Sequence, residues 1–277
     1  MHIDAHQHFW KYSAQEYDWI DESMGVIRRD FLPQDLEPEL QRNDFYGSVA
    51  VQARQTLEET RWLLELAERS PRILGVVGWV DLCSPHARSQ LREFSQNPKL
   101  VGVRHIVQAE PDERFLLRED FLRGISLLEE LDLAYDILIY TKHLPVAAEF
   151  VERFPRQRFV LDHMAKPPIK NREIQEWAAG IRRLAALPNV LCKMSGIVTE
   201  ADWQRWRPED ITPYLDVAFE AFGPSQLMIG SDWPVCLVAG SYDRVMDVVR
   251  NYLQQYPSEA REAVLGENAR QFWRLKV

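Results

Sequence analysis

Two histidines one residue apart, His6 and His8, close the N-terminal run Met1-His2-Ile3-Asp4-Ala5-His6-Gln7-His8. That run reads as a strand, and side chains along a strand alternate faces, so both imidazoles leave the same side. A pair of imidazoles at the mouth of a strand suits two kinds of chemistry. It can hold a divalent cation, or it can polarise a carbonyl group, provided that later strands bring complementary groups to the same place.

Elements able to do so recur along the whole chain. Short apolar, β-rich runs fall at 2–8, 47–52, 73–81, 100–106, 134–140, 159–163, 190–195 and 227–232. Amphipathic helical patterns lie between them, for example at 57–68, with apolar Leu57, Trp62, Leu64 and Leu66, and at 144–153, with Val146, Ala147, Phe150 and Val151. Such alternation predicts parallel strands joined by crossover helices. Eight units in 277 residues predict an α/β fold, a (β/α)8 TIM barrel forming a single domain over 1–277, with a last helix over 258–275. The competing open, doubly wound sheet would call for Gly-x-Gly-x-x-Gly after the first strand, and the sequence has none there.

Composition agrees with one large domain, since 46% of residues are hydrophobic. A formal net charge of −9 argues against nucleic acid or an anionic membrane as partner, because both want a basic face. No apolar stretch approaches the roughly 20 residues of a membrane span, and the N-terminus lacks a signal-peptide pattern, so the expected location is cytoplasmic. Cys83, Cys192 and Cys236 are odd in number and scattered, which suits reduced thiols acting as small hydrophobes.

In a barrel of this kind the chemistry sits at the C-terminal ends of the strands. The successive predicted strands end in His6 and His8; Gln52 and Arg54; Trp79 and Asp81; Arg104 and His105; Tyr140; Asp162 and His163; Lys193 and Ser195; and Asp232 beside Trp233. Polar or aromatic residues at every one of these ends are hard to ascribe to loop composition alone.

Three motifs, Asp4-Ala5-His6-Gln7-His8-Phe9-Trp10, Leu161-Asp162-His163-Met164-Ala165-Lys166-Pro167 and Gly230-Ser231-Asp232-Trp233-Pro234, together resemble the amidohydrolase superfamily, and within it the sugar-lactone hydrolases of the L-fuconolactonase and L-rhamnonolactonase type. The resemblance extends to Gly75-Val76-Val77-Gly78-Trp79-Val80-Asp81-Leu82 and Gly102-Val103-Arg104-His105, and so runs along nearly the whole chain. It implies a barrel hydrolase whose reaction centre is His6, His8, His163 and Asp232. A two-metal member would show Lys or Glu at the end of the fourth strand and His after the fifth; Arg104-His105 and Tyr140 stand there, which argues against a binuclear site. The expected enzyme works without a required cofactor. The alternative is a single divalent ion such as Zn²⁺ on the three imidazoles and Asp232, a four-coordinate donor set.

For a small-molecule lactone substrate, Asp232 is the expected general base on water, returning the proton to the leaving alkoxide, with Tyr140 as second candidate. His6, His8 and His163 are expected to donate to the developing oxyanion, each such donor contributing about 2.7–4 kcal/mol. Arg104 and His105 as donors, Asp81 as acceptor, and Trp79, Tyr140 and Trp233 are the expected sugar-ring contacts, although Trp79 and Trp233 suit core packing and Arg104 suits an ion pair equally well on chemical grounds. His2 and Asp4 read as interior polar packing near the barrel bottom, and His86 and His143 as solvated or capping residues at helix starts. The stretches 12–30 and 194–210 follow strand ends and read as lids or as plain surface loops. Rival readings are a hydrolase of aromatic-derived lactones such as pyrone dicarboxylate, held by Arg54, Arg104, Lys142 and Lys193; a metal-dependent decarboxylase; and a non-catalytic sugar-acid binder. A homo-oligomer is compatible with all of them.

Overall fold

Eight short parallel strands pair in sequence order in the computed structural model, which describes residues 1–276. They are β1 (His2–Gln7), β2 (Phe45–Val51), β3 (Ile73–Gly78), β4 (Leu100–His105), β5 (Ala134–Ile137), β6 (Phe159–Leu161), β7 (Val190–Met194) and β8 (Leu227–Ile229). The intervening helices are α1 (Pro33–Arg42), α2 (Leu57–Arg69), α3 (Ala87–Phe94), α4 (Glu119–Glu130), α5 (Leu144–Glu152), α6 (Gln175–Ala185), α7 (Pro208–Phe222) and α8 (Tyr242–Tyr252). This is the expected single-domain (β/α)8 barrel. Its strands are apolar almost throughout because both faces are covered; β3 is buried at every position. Among the described residues no helix is long and apolar enough to cross a membrane.

The strands stop earlier than the sequence suggests. β3 ends at Gly78 instead of Asp81, β5 at Ile137 instead of Tyr140, and β8 at Ile229 instead of Asp232. The apolar pattern runs on past the last ladder pairing, for instance Gly78↔Val103 and Ile137↔Leu161, so hydrophobicity overestimates hydrogen-bonded length. The final helix also departs from expectation. It is interrupted into α9 (Ser258–Glu262), a π turn (Ala263–Glu267) and α10 (Asn268–Phe272), and Gly266 sits where a Cβ would strike Met1 O at 2.0 Å.

Barrel closure falls beyond the named strands and inside the future site. Gln7 bridges Trp233, the His8 amide donates to Trp233 O at 2.6 Å, and the Asp232 amide donates to His6 O at 2.8 Å. The seam therefore fastens Asp232 to both N-terminal histidines. The β1 ladder also slips between Asp4 and Gln7. Asp4 meets Ser231 and the Tyr242 hydroxyl of α8, whereas His6 meets Lys193 and Asp162. Strict alternation would put both on one face, and the irregularity separates them. Burial raises the Asp4 carboxyl to about 6 against the pull of Ser231 and Tyr242. His2 is half-buried and pairs with Glu262 at 3.3 Å.

Side chains fill the barrel in tiers. An apolar cluster of Ile3, Ala5, Val49, Val51, Ala134, Val160 and Met228 packs with Phe272, Trp273 and Leu275 of the C-terminal segment. Above Trp273, whose ring lies 5.0 Å from Lys193 Nζ, comes a layer of buried charge, and above that the histidines. All three cysteines are free, Cys192 and Cys236 buried and Cys83 partly so.

Candidate active site

The charged layer consists of Arg104 from β4, Asp136 from β5, Asp162 just after β6 and Lys193 from β7, each 3% exposed or less. Lys193 Nζ pairs with Asp136 and lies 2.9 Å from Asp162, while Arg104 Nη1 donates to Asp162 at 2.9 Å. Arg104 Nη2 also donates to the Gln52 carbonyl and side chain. Burial would raise the Asp162 carboxyl, but Lys193, His6 and Arg104 together hold it well below the usual carboxylate range.

His6 joins this layer to the tier above. Its Nδ1 lies 3.4 Å from Asp162 Oδ1, and its Nε2 receives Arg104 Nη1 at 3.3 Å. Nδ1 also faces Lys193 Nζ at 3.2 Å, so a donor-only cation stands at each ring nitrogen, which favours the neutral imidazole. His8 is held through its Nδ1, lying 2.7 Å from Val51 O, which only accepts. His163 Nδ1 meets Ser195 Oγ at 2.9 Å. Burial keeps His6 well below the ordinary imidazole range and His163 down to about 4.

The Nε2 atoms and Asp232 converge. His6 Nε2 is 3.2 Å from His8 Nε2; Asp232 Oδ1 is 3.3 Å from His8, 3.8 Å from His6 and 3.9 Å from His163. Burial works against ionisation of Asp232, but His163, His8 and His6 hold its carboxyl far below the usual range. For His8, a singly protonated ring whose Nδ1 hydrogen goes to Val51 O has a lone pair at Nε2 and not the inward N–H expected of it. The His8 Nε2 lone pair and the Asp232 carboxylate, 3.3 Å apart, need a positive charge between them, which a proton or a cation supplies. Donor atoms of a tetrahedral Zn²⁺ site, with bonds of about 2.0–2.1 Å, lie about 3.3 Å apart. The separations among His6 Nε2, His8 Nε2 and Asp232 Oδ1 fit one ion, with His163 Nε2 3.9 Å from the same carboxylate oxygen, and His8 and His163 each have an outer hydrogen bond of the kind that orients a metal ligand.

Local backbone geometry sets this arrangement at some cost. His163, Met164, Ala165 and Lys166 are four successive non-glycine residues at positive φ, near 51–58°, and Asp232 is at 57°. The turn is braced by the Trp177 indole on Met164 O at 2.7 Å and by Thr141 Oγ1, 3.3 Å from Lys166 O. Gly196, at φ 58°, lies against His163, where a Cβ would come within 2.6 Å of Nδ1.

The other expected contacts are dispersed. His105 is engaged at both nitrogens, with Glu110 at 2.6 Å and the Trp79 indole at 3.4 Å, and it stacks on Phe115. Asp81 accepts from the Cys83 amide, and Trp233 is buried against Phe9 and Phe31. Tyr140, 41% exposed, borders a cleft of about 780 Å³ formed also by Lys142, Lys166, Glu200, Trp203 and Ser23. Thus both unassigned stretches, 12–30 and 194–210, contribute to this wall. His6, His8, His163 and Asp232 are not among the residues that line it. His143, expected to be solvated or capping, is buried and caps, its Nδ1 accepting the Tyr140 amide. Sequence reading passed over Gly196 and Glu200 and used Lys193 only as a cation for a rival substrate. A glycine directly after a strand-end serine is the available signal for close backbone approach at Gly196.

Comparison with known proteins finds relatives along nearly the whole chain. The family model described as amidohydrolase matches residues 3–275. An L-fucono-1,5-lactonase of Burkholderia multivorans is 44% identical over 96% of this chain and 93% of its own length. An L-fucono-1,5-lactonase of Burkholderia ambifaria is 38% identical, over 99% and 95%. The crystal structure of a zinc-bound amidohydrolase from Burkholderia multivorans superposes with a TM-score of 0.97 at 42% identity, covering 100% of both chains.

Proposed function

The chain belongs to the amidohydrolase family, and we propose that it opens a sugar lactone of the L-fucono-1,5-lactone kind to the sugar acid, as a step in carbohydrate breakdown. The observation that carries this reading is the convergence of three Nε2 atoms, each with Nδ1 held from behind, on the ionised carboxylate of Asp232.

Asp232 takes a proton from the attacking water as the lactone carbonyl becomes tetrahedral, and the same carboxyl returns it to the ring oxygen when the C–O bond breaks. His6, His8 and His163 fix where that carboxylate lies, and the barrel seam holds the Asp232 amide on His6 O. The residues that would hold a divalent ion are His6, His8, His163 and Asp232. When bound, such an ion polarises the carbonyl and makes water more acidic. Burial of the centre excludes bulk water and strengthens each of these interactions.

A dicarboxylate substrate finds less support. Arg54 is paired with Glu16 and Glu59, Arg104 with Asp162, Lys142 with Glu113, and Lys193 with Asp136 and Asp162, so these cations already have partners. A neutral polyhydroxylated ring asks for no such charge.

The test is acid release from a panel of aldonolactones and from pyrone dicarboxylate, read with a pH indicator, before and after chelation. Turnover of L-fucono-1,5-lactone, with Asp232→Asn lowering kcat about 10³-fold or more while the circular dichroism is unchanged, is the expected result. A protein that opens no lactone, or an Asp232→Asn variant of full activity, overturns the reading. Activity lost on chelation and regained with Zn²⁺ assigns an ion to the centre, and activity that survives shows that the side chains suffice.

A further inference from the structure

The turn that presents His163 ends in Lys166, and the two residues are tied by the Lys166 amide donating to His163 O at 2.8 Å. The strained run therefore does two things at once. It turns the His163 ring toward Asp232, and it carries the Lys166 side chain onto the wall of the cleft beside Tyr140, whose ring lies 5.4 Å from Nζ. Four left-handed non-glycine residues in succession are strained, and such strain persists where surrounding structure holds it in place.

Across the same cleft stands Glu200, from the short helical turn Val198–Glu200 after β7. Its carboxylate lies 3.6 Å from Lys166 Nζ, with both side chains about one-fifth exposed. Other ion pairs around the mouth are tighter: His105–Glu110 at 2.6 Å and Lys142–Glu113 at 2.8 Å. At 3.6 Å the Lys166–Glu200 pair leaves hydrogen-bonding capacity unspent, with three donors on one side and carboxylate lone pairs on the other. Both groups are also near the centre. The Lys166 charge acts on His163, and the Asp232 charge acts on Glu200. Lys166 and Glu200 thus both line the open cleft, and Lys166 is tied through its amide to His163.

A sugar lactone differs from a plain lactone by adjacent hydroxyls close to its carbonyl, and each hydroxyl both donates and accepts. A donor and an acceptor set side by side, loosely enough to admit two oxygens, match that pattern. We propose that Lys166 and Glu200 form the subsite that reads neighbouring hydroxyls of the lactone ring, Lys166 donating to one and Glu200 accepting from the other. The assignment rests on the lactonase reading and adds to it the groups that set substrate preference.

The test compares Lys166→Met and Glu200→Gln with the unaltered protein on L-fucono-1,5-lactone and on δ-valerolactone, which has the same ring without hydroxyls. Hydrogen bonds to charged groups contribute enough for about a 10- to 100-fold effect. The expected result is a fall of that size in the ratio of kcat/KM between the two lactones for each variant, appearing mainly in KM. An unchanged ratio overturns the proposal, whether both activities fall together or neither falls. So does an unaltered protein that opens δ-valerolactone as readily as the sugar lactone. A protein that opens neither lactone fails differently, because the lactonase reading itself is then wrong.

Discussion

In the lower charged tier Arg104 and Lys193 face Asp136 and Asp162, two cations against two carboxylates, with ion pairs at 2.9 Å on either side of Asp162. In the tier above, His6, His8 and His163 face a single carboxylate, and the closest atoms are the Nε2 nitrogens of His6 and His8, 3.2 Å apart. Both tiers are buried and they share His6, yet the lower one is closed and the upper one is open. Burial of ionisable groups is therefore a poor marker of a reactive site on its own. What distinguishes the tiers is charge: the upper one sets three imidazoles around one carboxylate, whereas the lower one balances two cations against two carboxylates and serves to aim the His6 ring, although Arg104 Nε, Asp136 Oδ1 and Asp162 Oδ1 have no hydrogen-bond partner there.

The sharpest way to break this comparison is to unbalance the closed tier. Lys193→Met leaves Asp136 buried without its cation, and removing one partner of a buried pair costs about 3–5 kcal/mol. The expected outcome is a large drop in thermal midpoint, partly recovered when Asp136→Leu is added so that both charges go together. A Lys193→Met protein as stable as the parent would show that the lower tier is not a closed balance.

The open tier should respond to pH instead. Burial holds His163 at about 4 against an ordinary 6.5. Above pH 6.5 both folded and unfolded chains leave this ring neutral, so it contributes no pH dependence. Between 6.5 and 4 the unfolded chain binds a proton that the folded chain does not, so stability falls as pH falls, by on the order of 3 kcal/mol across the window. Denaturant midpoints of chelator-treated protein at pH 7.5 and 4.5 measure it. His163→Asn should flatten the difference, and an equal pH dependence in that variant would place the titration elsewhere.

Much of this architecture is legible in the sequence, and the exceptions have physical causes. The barrel follows from strand and helix alternation, because parallel strands covered on both faces are written as apolar runs. His6, His8, His163 and Asp232 stand at the ends of such runs. Strand ends are misjudged because Trp79, Asp81 and Tyr140 continue an apolar or alternating pattern after the ladder has stopped. The depth of Lys193 is hidden because a lysine near a strand end looks the same whether it points up into solvent or down onto Trp273. Tautomers are hidden too: that His8 faces Val51 O through Nδ1 depends on a neighbouring strand, and nothing in His-x-His specifies it.

The smallest expected change in stability falls on a glycine, and it bears on what keeps the open tier open. Gly196 and Gly223 both have positive φ, 58° and 66°, so alanine at either should cost about 1–2 kcal/mol in backbone strain. Their surroundings differ. A Cβ at Gly223 meets nothing within 4 Å, whereas at Gly196 it meets His163 Nδ1 at 2.6 Å and Asp232 Oδ2 at 2.9 Å. Nδ1 is the atom that Ser195 holds, so an alanine methyl there must push the ring off its hydrogen bond and its Nε2 away from the centre. Misplacement by about 1 Å can cost around 100-fold in rate. Gly196→Ala should therefore lose activity out of proportion to its stability, while Gly223→Ala, equally strained and with open space around it, keeps its turnover. Parallel measurement of thermal midpoint and lactone turnover separates the two, and equal turnover in both variants would mean that the His163 ring tolerates displacement and the upper tier is less tightly set than its distances imply.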